Sequence, residues 1–129
     1  MLQQGILNPA VLSLLARVRH TNTLVIADWA FPFWPSIETV DLSLTQGIPT
    51  VIQVMELLRP NFKIGEVFMA EEFLATNKAP VRNAFGRVFR GLKVTREPHV
   101  QFKKRVPGAI GLIRTGDATP YGNLIIESA

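Results

Sequence analysis

A continuous apolar run, Leu24-Val-Ile-Ala27, constrains the fold of this chain more than any other stretch. Such a run is typical of a strand that is buried on both faces of a parallel sheet. Asp28 follows it at once. Because α/β proteins often place ligand contacts at the carboxyl ends of parallel strands, Asp28 is a candidate binding residue.

Helix and strand signals alternate along the rest of the chain. Asn8-Pro9 predicts the start of a helix, because Asn is a favoured N-cap and Pro suits the first helical position. Thr50 predicts a second N-cap. The pattern predicts one α/β domain over residues 1–129, with a mostly parallel central sheet flanked by helices. Helices are predicted from Pro9 to a stop at His20, from Val51 to before Pro60 and from about Pro80 to Phe89; further strands are predicted at 40–44, 62–69, 109–113 and 124–126.

The composition excludes several classes of protein. With 129 residues, 47% of them apolar and 19% charged, the chain matches one globular domain. No apolar run approaches the roughly 20 residues of a membrane-spanning helix, and no secretory signal is visible at the start. The chain contains no cysteine. We therefore expect no disulfide, no thiolate metal site and no membrane association, and a cytoplasmic location.

Positive charge is concentrated in one segment of the chain. Between Arg82 and Arg105 there are eight Lys or Arg residues and only Glu97 with the opposite charge. Such a segment can bind nucleic acid through its phosphates, or it can form a solvated basic face. Since no nucleic-acid motif accompanies it, the solvated face is favoured and no nucleic-acid partner is expected.

The motifs that are absent from the sequence exclude several kinds of chemistry. The chain has no Gly-rich nucleotide cradle and no Gly-x-Ser-x-Gly nucleophile motif. Its two histidines lack metal-ligand spacing and it has no cysteine, so no zinc site is expected. What remains is acid–base catalysis or binding.

A polar link lies between the last two predicted strands. Its sequence is Arg114-Thr-Gly-Asp-Ala-Thr-Pro-Tyr-Gly-Asn123. It contains a guanidinium, a carboxylate, two threonine hydroxyls, a phenol and an amide. A strand-end loop so rich in hydrogen-bonding groups suits a small polar ligand, but a solvated hairpin turn has the same composition.

An aromatic and proline-rich segment, 29–37, follows Asp28. It cannot form a regular helix or a central strand. It can serve as a loop that covers the core, or as an apolar wall of a binding site or interface. The wall is favoured, since so many aromatic side chains on an exposed loop are otherwise a liability.

Both histidines have a functional and a structural interpretation. His20 ends the first predicted helix, where it can bond free carbonyls or serve as an acid–base group. If 99–104 is helical, His99 and Lys103 are four residues apart and share a face. They can then line a site or decorate a surface helix.

Five segments together carry a resemblance to a known family. They are Arg19-His-Thr-Asn-Thr-Leu-Val-Ile-Ala-Asp28, Asp41-Leu-Ser-Leu-Thr-Gln-Gly-Ile-Pro49, Ala70-Glu-Glu72, His99-Val-Gln-Phe-Lys103 and Ile113-Arg-Thr-Gly-Asp-Ala-Thr-Pro-Tyr-Gly-Asn123. In the same order and at compatible spacing, they resemble the D-ribose pyranase and L-fucose mutarotase family. The resemblance covers nearly the whole chain, from Gly5 to Ile126. The second segment is nearer the ribose branch, whereas the last is nearer the fucose branch.

The resemblance implies a ribose-pyranase-like fold and a cofactor-free isomerase that interconverts cyclic forms of a free monosaccharide. It implies that His20 is the proton donor. It also implies a homo-oligomer, a ring-shaped decamer with sites at subunit interfaces. A non-catalytic sugar-binding or regulatory protein of the same fold is the alternative. The implied substrate-binding residues are Asp28, His99, Lys103, Tyr121, Gly122 and Asn123.

One segment departs from the family pattern. Trp29-Ala-Phe-Pro-Phe-Trp34 is bulkier than the small residues usual at this place in the family. This departure makes the identity of the sugar less certain than the type of reaction.

Overall fold

The computed structural model describes residues 1–61 and 63–129, and these residues form five α-helices and six β-strands. Phe62, the first residue of one predicted strand, lies outside the described residues. None of the five helices in the described residues has the length and apolar character needed to cross a membrane. In chain order the elements are α1 (Pro9–Arg17), β1 (Thr23–Ala27), β2 (Glu38–Asp41), α2 (Val51–Leu58), β3 (Ile64–Ala70), α3 (Glu72–Thr76), α4 (Ala79–Val88), β4 (Lys93–Glu97), α5 (His99–Arg105), β5 (Gly111–Arg114) and β6 (Leu124–Ser128).

The six strands form one mixed sheet in the order β2-β5-β1-β6-β3-β4. β5 pairs in parallel with both β1 and β2, and β3 pairs in parallel with β4. β6 pairs antiparallel with both β1 and β3. The predicted α/β class and the mostly parallel sheet are therefore confirmed. The hairpin interpretation of 114–123 is wrong, because β1 lies between β5 and β6 and the link must cross its end.

Each face of the sheet carries its own apolar layer. On one face, residues of β1, β3, β5 and β6 pack against α1, α2, α3 and α4. On the other face, Val25, Leu112 and Ile125 pack with Phe102 of α5 and with Phe31 of the segment after β1. The predicted buried strand, Leu24–Ala27, is fully buried as β1.

Local capping explains the well-predicted helices. The Asn8 side chain accepts a hydrogen bond from the Val11 N–H (3.0 Å) at the start of α1. Thr50 caps α2, where its hydroxyl accepts from the Gln53 N–H (3.1 Å) and the Gln53 side chain accepts from the Thr50 N–H (2.8 Å).

Several elements differ from the predictions, and helix α3 was not predicted. Helix α1 ends at Arg17, before the predicted stop at His20. The strand predicted at 40–44 lies at Glu38–Asp41. Strand β4 was not predicted, because it is an edge strand that pairs only with β3 and carries charged residues, as edge strands often do.

Candidate active site

A cavity of about 260 Å³ opens at one edge of the sheet. The parallel strands β1 and β4 end at this edge, and α5 begins there directly after β4. Because β6 is antiparallel, its first residues lie at the same edge. The cavity is lined by Asp28, Ala30, Phe31, Pro32, His99, Pro120, Tyr121 and Asn123.

Asp28 and Asn123 form a reciprocal hydrogen-bonded pair in the lining of the cavity, and both are buried. The Asp28 N–H donates to Asn123 Oδ1 (2.7 Å), and Asn123 Nδ2 donates to Asp28 Oδ2 (3.1 Å). The other carboxylate oxygen of Asp28 accepts from the Ala30 N–H (3.0 Å). Burial raises the pKa of Asp28, against the lowering effect of these hydrogen bonds. The pair fixes two acceptor-bearing side chains against the cavity, although they lie 95 residues apart in the chain.

His99 is the first residue of α5, and the carboxylate of Glu72 fixes its backbone. Pro98, at the N-cap position, gives no side-chain acceptor. Both carboxylate oxygens of Glu72 instead accept from the His99 N–H (3.1 and 3.0 Å). Glu72 appeared in the sequence only as part of one resembling segment, and nothing local predicted this distant cap.

Aromatic rings surround the imidazole of His99. The ring stacks on Phe102 (centroids 6.0 Å apart) and lies nearly perpendicular to the rings of Tyr121 (5.2 Å) and Phe31 (6.4 Å). Its Nδ1 is buried and has no hydrogen-bond partner among the described residues. Burial lowers the pKa of His99, and the charge of Lys103 lowers it further, so the neutral imidazole is favoured near pH 7.

The other residues proposed from the sequence take different positions. Tyr121 lines the cavity and has a positive φ of 56°. Gly122 is buried beneath it, where an added Cβ would come within 3.1 Å of the Thr119 carbonyl oxygen. Lys103 lies one turn after His99 on α5 and is outside the set of cavity-lining residues. Its charge acts on His99, whose pKa it lowers.

Several polar groups of the link 114–123 form hydrogen bonds within the link or to neighbouring elements, and so hold the link in place. The Thr115 hydroxyl donates to the Ala27 carbonyl (2.8 Å). The Asp117 carboxylate accepts from the N–H groups of Val51 (2.9 Å) and Thr119 (2.8 Å). Of this link only Pro120, Tyr121 and Asn123 line the cavity. The apolar Pro120 and Ala30 carried no chemical signal in the sequence.

The aromatic segment after β1 covers part of the core and also lines the cavity. Phe31 is 5% exposed, lines the cavity with Pro32 and packs on Phe102 in the core. Trp34 packs against the same core layer and is outside the set of cavity-lining residues. Trp29 and Phe33 are 50% and 69% exposed, which leaves apolar surface outside the cavity.

His20 lies at the opposite end of β1 from Asp28. It is exposed on a turn in which Thr21 has a φ of 65° and donates its N–H to the Ser128 carbonyl (2.9 Å). Five steps from Thr23 to Asp28, at about 3.3 Å each, separate the two ends of the strand by roughly 16 Å. Within one chain, His20 therefore does not reach the cavity that contains Asp28.

Comparison with known proteins identifies relatives over the full length of the chain. The model of the RbsD / FucU transport protein family matches residues 1–129. The D-ribose pyranase of Bacillus licheniformis is 39% identical and that of Geobacillus kaustophilus 38% identical, each over 99% of this chain and 97% and 93% of the relative. Both relatives are named D-ribose pyranase.

Two solved structures share the fold. The structure of Bacillus subtilis RbsD complexed with D-ribose is 31% identical, covers 100% of this chain and 98% of its own, and has a TM-score of 0.92. The fucose mutarotase of Streptococcus pneumoniae, in complex with L-fucose, has a TM-score of 0.80 at 14% identity, over 95% of this chain and 92% of its own. With the full-length family match and these relatives, the chain belongs to the RbsD / FucU family, and it is an enzyme of the isomerase class.

Proposed function

We propose that this protein is a cofactor-free mutarotase or pyranase that interconverts ring forms or anomers of a free monosaccharide such as D-ribose or L-fucose. The observation that carries the proposal is the convergence of Asp28, His99, Tyr121 and Asn123 on one cavity. Support comes from relatives named D-ribose pyranase and from a structure, 31% identical, that is complexed with D-ribose.

The size and chemistry of the cavity suit a monosaccharide. Its volume of about 260 Å³ is just below the range of about 300–1,000 Å³ that is usual for drug-sized ligands. A sugar presents hydroxyl groups that donate and accept together with an apolar C–H surface. The Asp28 carboxylate accepts, while the Tyr121 hydroxyl and the His99 imidazole offer further polar contacts. Phe31 and Pro32 offer an apolar wall.

The reaction requires only proton transfer and positioning. The anomeric hydroxyl loses its proton, the bond between C1 and the ring oxygen breaks, C1 becomes a carbonyl, and the ring oxygen gains a proton. Closure through another hydroxyl gives the other ring size, and closure on the other face gives the other anomer. Since no electron or group leaves the sugar, acid–base residues suffice, each contributing about 10²–10⁴-fold.

We assign the proton donor to His20 of a neighbouring subunit. His20 and Asp28 lie at opposite ends of β1, so one sugar cannot contact both in the same chain. Assembly as a ring, for which we propose a decamer, would bring His20 of one subunit to the cavity of the next. The exposed apolar surface of Trp29 and Phe33 would be covered in the same contact. We also propose a cytoplasmic location, which fits a cysteine-free chain.

Subunit mixing tests the shared site. At sugar concentrations well below the parent Kd, His20→Ala protein is expected to be nearly inactive and Asp28→Asn protein to be about tenfold slower than the parent. After the two are dissociated and reassembled together, some sites combine an intact His20 with an intact Asp28, and activity should return in part. If hybrid oligomers form, as mass spectrometry can establish, and are no faster than the two variants alone, the shared site is wrong.

Saturation-transfer NMR tests the reaction itself. Exchange between the cyclic forms of D-ribose, L-fucose and other free monosaccharides is measured with and without the protein. Faster exchange for at least one sugar is the expected result. Sugar binding without faster exchange would favour the non-catalytic sugar-binding alternative, and absence of both would refute the proposal.

A further inference from the structure

Arg114 is a charged residue that the proposed chemistry does not use. It is the last residue of β5, beside Ala27 of β1 and Asp41 of β2. It is half-buried and lies outside the set of cavity-lining residues. Although the polar link that begins with it suits a small polar ligand by composition, the guanidinium of Arg114 is turned toward the segment that follows β1.

The guanidinium contacts three backbone carbonyls of that segment. Nη1 donates to the carbonyl oxygens of Asp28 (3.2 Å) and Trp29 (3.3 Å), and Nη2 donates to that of Pro32 (3.3 Å). These acceptors lie at both ends of residues 28–32. Between them are Ala30 and Phe31, which together with Pro32 form the apolar wall of the cavity.

We propose that Arg114 is a positioning residue that clamps residues 28–32, and so sets the apolar wall and the choice of sugar. Irregular backbone has no ladder of hydrogen bonds to hold it, and this segment follows a strand directly. The planar fork of arginine presents donors in two directions from one rigid group, whereas lysine offers a single flexible ammonium. Arg114→Lys would keep the charge and lose the simultaneous contacts.

The tryptophans of the chain make it possible to follow this segment by fluorescence. Its two tryptophans, Trp29 and Trp34, both belong to the aromatic segment after β1. Intrinsic tryptophan fluorescence and its quenching by acrylamide therefore report on this segment and on the proposed subunit contact that covers Trp29, so the variants are compared at equal oligomer size. This measurement needs no sugar and no activity.

The test compares Arg114→Lys and Arg114→Met with the same two changes at Arg82, which is exposed on α4. Both Arg114 variants should raise the acrylamide quenching constant by about twofold, because a released segment opens more often to solvent. For the proposed reaction, KM should rise by about three- to tenfold with a smaller change in kcat, since loosening the wall removes binding contacts. The ratio of rates for D-ribose and L-fucose should change as well. The Arg82 variants should match the parent protein in every measurement.

The outcomes separate the clamp from the proposed function. Unchanged quenching in folded Arg114→Lys protein refutes the clamp, whatever the activity. Increased quenching with an unchanged sugar ratio and KM refutes the effect on sugar choice. The sugar measurements rest on the proposed function, and if the parent protein acts on no sugar, quenching alone decides the clamp. If Arg114→Met fails to fold by circular dichroism, Arg114→Lys carries the test.

Discussion

The two ends of β1 are built in opposite ways. At its carboxyl end, Asp28 is buried and tied to Asn123 and Ala30 by three hydrogen bonds. At its amino end, His20 is exposed on a turn. One end holds a carboxylate in a fixed geometry, while the other presents an imidazole at the surface.

This difference indicates what one chain completes by itself. The chain alone assembles the groups that are proposed to hold a sugar, because distant segments meet at one edge of the sheet. The group that is proposed to donate the proton remains at the opposite edge. We expect substitutions at the two ends of β1 to separate the rate of exchange from binding and stability.

The largest effect is expected for His20→Ala. Loss of one positioned proton donor should slow sugar exchange by about 10²–10⁴-fold. Since the side chain is exposed, the free energy of unfolding should change by less than about 0.5 kcal/mol. His20→Gln, which keeps a polar side chain, should be equally slow. Exchange within a factor of two of the parent rate would remove His20 from the mechanism.

Asp28→Asn should mainly weaken binding. The carboxylate accepts from both Ala30 and Asn123, whereas an amide has one acceptor and brings donors that face Asn123. We expect about tenfold lower sugar affinity by calorimetry, equivalent to ~1.4 kcal/mol. Stability should fall by about 1 kcal/mol, the low end for an unpaired buried donor, because burial of the charge is relieved. Asp41→Asn, on the exposed edge strand β2, is the matched control and should leave sugar affinity unchanged.

A smaller effect is expected at the wall of the cavity. Phe31→Leu should change the ratio of rates for D-ribose and L-fucose by a few-fold, because this ring lines the cavity. Trp34→Phe, in the same segment but packed against the core, should leave the ratio unchanged. Each apolar exchange should cost less than about 1.5 kcal/mol in stability. Equal shifts in both variants would mean that the segment acts as a whole and not through Phe31.

The smallest effect is a change in the pH dependence of stability at His99. Burial, and then Lys103, lower the pKa of His99 in the folded protein, so the unfolded chain takes up this proton more readily as pH falls. The stability that His99 contributes is therefore fully present above its pKa in the unfolded chain, about 6.5. It is lost as pH falls from there through the lower pKa of the folded protein. His99→Phe keeps a ring and removes the titration. Its melting temperature should fall less than that of the parent between pH 7.5 and 5, and parallel curves would contradict this.

Much of the local structure follows from short-range signals. Asn8 caps α1 and Thr50 caps α2, and each side chain accepts a hydrogen bond from the backbone N–H three residues later. Both partners of each cap therefore lie within one short stretch of sequence. The apolar run before Asp28 predicts β1 and its burial for a similar reason. Strand β4 and Glu72 show the limit of such signals, since an edge strand needs its partner β3 and the Glu72 cap reaches 27 residues along the chain.

By itself, the sequence determined the α/β class, the capped helices, the buried central strand and the family resemblance, because these depend on residues close together in the chain or on their order. Only the tertiary structure decided the use of the polar residues. The sheet order separates β5 from β6 and brings Asn123 to Asp28 across 95 residues and Arg114 to the Asp28 carbonyl across 86. Side chains of the link 114–123 therefore differ in use: some bond backbone groups of neighbouring elements, some line the cavity, and Arg114 contacts the segment after β1. The sequence could not show this, because a hydrogen bond depends on distances in space between residues that are far apart in the chain.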